Sequence, residues 1–377
     1  MKILQVLTLL SPAGEFGGPA TVAVNQSRAL AARGHDVTLI AGTRGGSVSA
    51  PDVPGVHVRT FPTRTVGRGP SCSRIVAPSM LLWIRAHAGG FDVAHVHLGR
   101  DFVTLPAARL LSWGDVPTHV QTHGMINPRR SLPYQVIDRA LTIPAVRDAR
   151  TAFYLNDVEL QKLRSAVGDA PRYSYLGNGV PLPDTVRAGH RDGLPEVLFL
   201  ARLHPRKRAV TFARVATDLA PRFPARFTII GPDEGDGPAV DEVLRTFRAT
   251  HDAEVADRVR REAPIATDRV AGRLAQATIY VLPSIHEPLP MSVLEAMAAG
   301  LPVVVTDTCG FAGLVADADA GLVVDDSMDA LSAALTGLLA DPDRARAQGL
   351  RGRRAVEQHW GITSIAQQLE EHYDAVS

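Results

Sequence analysis

The sequence predicts an α/β protein made of two doubly wound, parallel-sheet domains, and three observations carry that expectation. A chain of 377 residues exceeds what one ordinary core organises. Short runs of Val, Ile and Leu alternate with longer amphipathic stretches, the pattern of βαβ units around a parallel sheet. That pattern breaks once, from Pro181 to Pro195, where prolines, glycines and charges interrupt any period.

The strands expected before the break are Lys2 to Leu9, Asp36 to Ala41, Val56 to Phe61, Val93 to His97, Thr118 to Thr122 and Thr151 to Leu155. Helical stretches such as Ala20 to Ala32, Ile75 to Ala88 and Phe102 to Leu111 lie between them. After the break, strands are expected at Glu196 to Ala201, Phe227 to Ile230, Thr278 to Leu282 and Pro302 to Thr306. The chain ends in helices, Asp326 to Leu339, Arg344 to His359 and Ser364 to Tyr373. The domains are therefore placed at 1–180 and 196–360, with 181–195 as linker and 361–377 as a terminal helix able to pack back on the first domain. Ligands of open α/β sheets bind outside the carboxyl ends of strands, so two facing domains of this kind predict a cleft lined by post-strand loops.

Composition narrows the class. With 45% hydrophobic and 21% charged residues, the chain can build large cores and lacks a disorder signature. Cys72 and Cys309 are the only cysteines, too few for a disulfide framework or a cysteine-rich metal site, which fits a reducing cytosol. The apolar start, Met1 to Leu10, has one basic residue and no small-residue cleavage pattern, so it reads as a buried strand rather than a signal peptide. No apolar window approaches the roughly 18 residues of a membrane span. Charge is uneven: residues 1–185 hold 19 Lys/Arg and 12 Asp/Glu, whereas 186–377 hold 21 and 27. This is either an ordinary solvated surface or a field that draws an anionic acceptor or membrane to the first half.

The most informative segment is His286-Glu287-Pro288-Leu289-Pro290-Met291-Ser292-Val293-Leu294-Glu295-Ala296-Met297-Ala298-Ala299-Gly300. Glu287 falls in a loop after a strand, and Met291 to Ala299 reads as a helix stopped by Gly300 and Pro302. A loop acid and a helix acid can take two sets of ligand hydroxyls, with helix-start N–H groups suiting polar or anionic groups. Equally, the two are a helix-start acid and a solvated helix residue. A second motif, Ala201-Arg202-Leu203-His204-Pro205-Arg206-Lys207-Arg208, sets two cations on a post-strand loop where they can converge on a diphosphate, or form a basic surface loop. A third, Ile229-Ile230-Gly231-Pro232-Asp233-Glu234-Gly235, runs a strand into a tight loop whose adjacent acids suit a turn and helix start.

These segments resemble the retaining glycosyltransferases of family 4, with the first matching that family's Glu-x7-Glu signature and the second its Gly-Arg-Leu-x-x-x-Lys-Gly. The resemblance implies the GT-B fold, with two Rossmann-like domains facing across a cleft, the first taking the acceptor and the second the nucleotide sugar. It implies a retaining hexosyltransferase that moves a sugar from a nucleoside diphosphate sugar, UDP-linked in the first instance, to a hydroxyl of a glycan, lipid-linked or aminoglycoside-type natural-product acceptor. Carried over, the donor diphosphate falls to Arg202, Lys207, Gly17 and Gly18. The donor sugar falls to Glu287, Leu289, Met291 and Ser292, and the nucleoside to Gly231, Pro232 and Glu295. His123 and Glu287 are the catalytic candidates. Pro288-Leu289-Pro290 replaces the family's Gly-Phe-Gly, and proline brings neither positive φ nor an N–H, which bears on which sugar is held.

His95 and His97, two apart on one strand, are read as strand-end residues lining the cleft. Asn178-Gly179-Val180 matches the family's Asn-Gly-Val, with a structural role. No cofactor, essential metal or nucleic acid is expected. A cytoplasmic location is, with peripheral contact at the inner face of a membrane open to the basic half. A nucleotide-sugar epimerase and a non-catalytic sugar-nucleotide-binding relative remain alternatives, since fold does not settle chemistry.

Overall fold

The apolar runs become the inner strands of two parallel sheets in a computed structural model that describes residues 1–10, 18–44, 50, 52–66, 74–128, 131–183, 193–287 and 289–374. The chain divides into two units, Met1–Gly179 with Ile362–Ser377, and Val180–Gly361. The last helix is thus separated in sequence from the unit that contains it.

In the first unit the order is β1 (Lys2–Leu9), α1 (Gly18–Ala32), β2 (Asp36–Thr43), β3 (Val56–Pro62), the short antiparallel pair β4 (Arg64–Thr65) and β5 (Ile75–Val76), α2 (Pro78–His87), β6 (Val93–His97) and α3 (Thr104–Ser112). Then follow β7 (Thr118–Gln121), α4 (Leu132–Ile137), α5 (Ile143–Arg147), β8 (Thr151–Tyr154), α6 (Asp157–Val167) and β9 (Tyr173–Tyr175). The sheet order is β3-β2-β1-β6-β7-β8-β9, parallel throughout. β6 and β7 are buried at every residue, as expected of central strands with both faces covered.

The second unit runs β10 (Glu196–Leu200), α7 (Ala209–Leu219), β11 (Arg226–Ile230), α8 (Gly237–Thr250), α9 (Ala253–Ala256), β12 (Val259–Glu262), α10 (Thr267–Leu274), β13 (Ile279–Leu282), α11 (Met291–Ala298) and β14 (Val303–Thr306). It closes with α12 (Ala312–Asp317), β15 (Gly321–Val324), α13 (Met328–Ala340) and α14 (Pro342–His359), before α15 (Ile362–Asp374) returns to the first unit. Strand order is β12-β11-β10-β13-β14-β15. β10 therefore has its predecessor in chain direction on neither side: β11 flanks it on one edge and β13 on the other. Connections reverse there, which makes the loops after β10 and β13 the switch-point crevice of the sheet.

Local signals explain the helix bounds that matter. Gly300 (φ 79°) follows α11, and the Leu301 N–H reaches the Ala296 carbonyl at 3.0 Å, a glycine-closed helix end. α14 starts at Pro342 behind Asp341, whose carboxylate accepts from the Arg344 N–H at 3.0 Å. The core of this unit gathers Val197, Phe199, Phe212, Phe227, Val281 and Val304, with Phe199 and Phe212 stacked at 5.8 Å.

The two parallel sheets contain three strands beyond those expected, β9, β12 and β15. All three lie at sheet edges. β12 reads Val-Arg-Arg-Glu and is only part-buried, so its pairing comes from β11 rather than from its own hydrophobicity.

Candidate active site

The loop leaving β10 is built against the loop leaving β11. The Leu203 N–H donates to the Pro232 carbonyl at 2.8 Å, and the Leu203 carbonyl accepts from Asp236 at 2.9 Å. Gly231 lies so close that a Cβ there would meet the Ala201 carbonyl oxygen at 1.8 Å, which is why this position needs glycine. Asp233 accepts from the N–H groups of Gly235 and Gly237 and so builds the turn into α8, as the adjacent acids suggest. Its neighbour Glu234 takes Arg202 in a two-point contact at 2.8 and 3.0 Å.

Past Arg202 the chain makes one short turn, Pro205–Lys207, capped by His204, whose Nδ1 accepts from the Arg206 N–H at 3.1 Å. Arg208 is left-handed (φ 60°) and starts α7. This turn sends Lys207 inward. Lys207 and Glu287 are each 8% exposed, and Lys207 Nζ lies 2.7 Å from Glu287 Oε2, with Arg206 3.2 Å from the same oxygen. Oε2 is at ion-pair distance yet out of hydrogen-bond alignment. Two buried charges persist because each offsets the other's desolvation. With two cations on one acid, the cluster keeps a net positive charge.

The Glu287 loop is fixed from both neighbouring strands. The Ile285 N–H donates to the Arg206 carbonyl at 3.0 Å, and the Glu287 carbonyl accepts from Gly310 at 2.8 Å. The His286 N–H donates to Thr308 Oγ1 at 3.2 Å, and the Thr306 hydroxyl donates to the Ser284 carbonyl. Pro288 lies outside the described residues. Leu289 and Met291 pack part-buried on the core, leaving the backbone as their polar contribution. The Ser292 hydroxyl is 2.7 Å from that of Tyr280, which sits 3.0 Å from the Leu200 carbonyl, so this pair ties the start of α11 to the end of β10.

Glu295 stands on α11 one turn beyond Ser292, with no cation at ion-pair distance among the described residues. Burial pushes its carboxyl above the usual range. Gly17 lies outside the described residues, and Gly18 is the exposed first residue of α1.

In the first unit, His123 follows β7 with φ 50°, and Gly124 follows with φ 72°. The His123 ring stacks on His97, Nε2 to Nδ1 at 2.9 Å, and His97 Nε2 reaches Gln5 Oε1 at 2.9 Å. Burial pulls the His123 imidazole down to about 4, against a smaller upward pull from Asn178. Both of its ring nitrogens are turned inward.

The expectation that His95 and His97 line an open cleft needs correction. Both are fully buried, because β6 is central and covered by α15: His95 Nδ1 is 2.6 Å from the Tyr373 hydroxyl. His119, the cross-strand partner of His95, joins them. Asn178 accepts from Gln121 at 3.2 Å at the end of this unit, a structural tie. Among the described residues, no group of three or more potential ligands is placed to hold a metal ion, and no helix is long and apolar enough to cross a membrane.

Comparison with known proteins supplies the family. The family model described as Glycosyltransferase Family 4 matches residues 16–183, and that described as Glycosyl transferases group 1 matches 184–355. D-inositol 3-phosphate glycosyltransferase 2 of Catenulispora acidiphila is 30% identical over 396 residues, covering 94% of this chain and 89% of that protein. The chain belongs to glycosyltransferase family 4.

Other family 4 relatives agree. The GDP-mannose-dependent alpha-(1-6)-phosphatidylinositol monomannoside mannosyltransferase of Mycobacterium tuberculosis is 29% identical over 377 residues, covering 94% of this chain and 91% of its own. The GT-B fold follows from solved structures. Sucrose-phosphate synthase from Thermosynechococcus elongatus superposes with a TM-score of 0.71 at 20% identity, covering 100% of this chain and 98% of that one. Anabaena HepE, solved with UDP and glucose, gives 0.70 at 16% identity, with 100% of both chains covered.

Within this glycosyltransferase, two side chains matter that motif spacing did not flag. Tyr280 bridges β10 and α11 from inside a strand, where its sequence context reads only as apolar core. Glu159 carries the other, and the one signal available for it was its place three residues after Asn156, which reads simply as a capped helix start.

Proposed function

We propose that the protein transfers a sugar from a nucleoside diphosphate sugar, UDP-linked in the first instance, to an acceptor hydroxyl with retention at the anomeric carbon. The observation that carries this reading is the buried Lys207–Glu287 pair at the β10/β13 switch point, with a net positive charge beside an acid suited to sugar hydroxyls. In this reading Arg202 and Lys207 neutralise charge developing on the departing diphosphate, and Glu287 holds the donor sugar. Leu289, Met291 and the backbone of Ser292 complete the sugar's surroundings, and Gly231, Pro232 and Glu295 face the nucleoside.

Magnitudes favour that assignment of Arg202. Its pair with Glu234 is between half-exposed and exposed side chains, 57% and 35%, and such pairs contribute about 0–1 kcal/mol. Arg202 holds Glu234 through Nη1 alone, so a diphosphate that engages the whole fork draws the guanidinium away at little cost. Lys207 is held in place until the ligand shares it.

For the acceptor, the names of two relatives point to phosphorylated inositols, an inositol 3-phosphate and a phosphatidylinositol mannoside. Together with the basic excess of residues 1–185, they support an anionic, phosphate-bearing acceptor, lipid-linked or free, taken by the first unit. The test is a thermal-unfolding screen of UDP-, GDP- and dTDP-sugars, repeated with inositol phosphates, followed by assay of transfer with the protecting pair. Protection by a UDP-sugar with transfer to the added acceptor is the expected result. Protection without transfer to any acceptor would overturn the enzymatic reading, and protection by GDP-sugars alone would replace the nucleotide.

A further inference from the structure

A buried acid without an assigned role holds the turn that carries His123. Glu159 is 4% exposed. Its Oε1 accepts from the Thr122 hydroxyl at 2.5 Å and from the Gly124 N–H, and its Oε2 accepts from the Leu155 N–H at 2.7 Å. In a capping box the third-position Glu returns to the N–H of its own cap residue. Glu159 returns with one oxygen to Leu155, one residue ahead of the cap, and with the other reaches across to the loop of the neighbouring strand, while Asn156 caps α6 by accepting from the Glu159 N–H at 2.9 Å.

The turn it holds has a sparsely populated backbone geometry. His123 at φ 50° is a non-glycine residue in the left-handed region, and such geometry persists only where the surroundings over-determine it. Here the residues on both sides of His123 are bound to one carboxylate, Thr122 by its hydroxyl and Gly124 by its backbone N–H, and the ring is held separately by His97 at 2.9 Å. A buried carboxylate neutralised by no cation among the described residues, only by neutral donors, is a costly way to close a turn. A solvated loop serves as well where only chain reversal is needed.

We propose that Glu159 is a positioning residue for sugar transfer: its carboxylate locks Thr122 and Gly124 so that His123, partly exposed although its ring nitrogens face inward, is held in one fixed orientation beside the reacting group. This rests on the reading that His123 lies beside that group. Neither Glu159 nor Thr122 touches substrate in this scheme; both act through the turn.

The test compares Glu159→Gln, Thr122→Val and His123→Ala for kcat, donor KM and hydrogen-exchange protection of β6 and β7. The amide of Glu159→Gln, of the same bulk, accepts at one end only, so an NH2 faces either the Gly124 or the Leu155 N–H and the clasp between turn and helix start is broken at one side. Expected is a kcat loss on the order of 100-fold in Glu159→Gln, the scale of a misplaced reacting group, with a smaller loss in Thr122→Val. Donor KM and strand protection stay unchanged. Wild-type kcat in Glu159→Gln and Thr122→Val beside an impaired His123→Ala would overturn the role of Glu159, as would a kcat loss that tracks lost strand protection. Should Glu159→Gln fail to fold, Thr122→Val decides by the same readings. Wild-type kcat in His123→Ala would remove the role of the turn, and Glu159's with it, while leaving the donor site of the second unit standing.

Discussion

The loops after β10 and β13 and the turn after β7 occupy the same kind of place, the carboxyl ends of strands in a parallel sheet, yet they hold polar groups by opposite means. In the second unit, charge is met with charge: Lys207 and Arg206 on Glu287, Arg202 on Glu234. In the first, imidazoles stay neutral in a buried layer, His95 on Tyr373 and His97 between Gln5 and His123. A charged cluster can exchange partners with an anion as it arrives. A neutral layer fixes orientation but cannot accept a charge without disruption. The difference suits the roles proposed for them, binding of the diphosphate in one region and placement in the other.

The strongest test of the charged region is Lys207→Ala. Losing one preorganised donor to a developing anion is expected to slow transfer by about 10²–10³. A Lys207→Met, Glu287→Gln double variant, which removes both charges together, should recover thermal stability lost by Lys207→Ala while leaving transfer slow. Recovery of transfer as well would show that the pair only supports the fold.

The neutral region is tested by acid. His119 and His123 sit at about 4 against an ordinary 6.5, mainly through burial. Their folded values are depressed, so the unfolded chain takes up protons first as pH falls. The neutral form's contribution is complete above 6.5 and is lost progressively towards 4. At about 1.4 kcal/mol per unit, each site accounts for roughly 3 kcal/mol at the bottom of that window. Hydrogen exchange across the window should show β6 and β7 losing protection before β10 and β13. Loss in the opposite order would show that the histidine layer does not govern acid stability.

Arg202→Ala should be milder, with transfer slowed by about 1.5–3 kcal/mol of barrier, the scale of a hydrogen bond to a charged group. Its thermal midpoint should hold, because the Glu234 pair is exposed. The smallest effect is expected at Glu295. If ribose hydroxyls donate to its carboxylate, nucleotide affinity rises with pH through a titration above the usual carboxylate range. In Glu295→Gln that dependence should vanish, and its persistence in a calorimetric titration would move the ribose elsewhere.

How far the sequence reaches can be seen strand by strand. Lys2–Leu9 and Val93–His97 lie where their apolar runs place them, and the other inner strands differ by a residue or two at their ends. Tyr173–Tyr175 and Val259–Glu262 escape because these edge strands owe their pairing to a neighbour and not to burial of their own two faces, and Gly321–Val324 because an apolar run of four has too little period to tell strand from helix; the longer edge strand Val56–Pro62 was legible. The Gly-Asp turn after Ile230 was readable because Asp233 acts within its own few residues. His95 and His97 were misplaced because one strand's residues do not reveal which helix covers them.

By itself the sequence determined the alternation of strands and helices, the family, and which acids and cations stand at strand ends, because those depend on local period and spacing. Only the tertiary structure decided that Lys207 meets Glu287, that Tyr280 joins β10 to α11, and that Glu159 clasps the turn at His123. Each of these pairings joins residues from different strands' loops, or a helix to a strand or to the loop after one. Sheet order makes them neighbours, and no spacing along one segment encodes it.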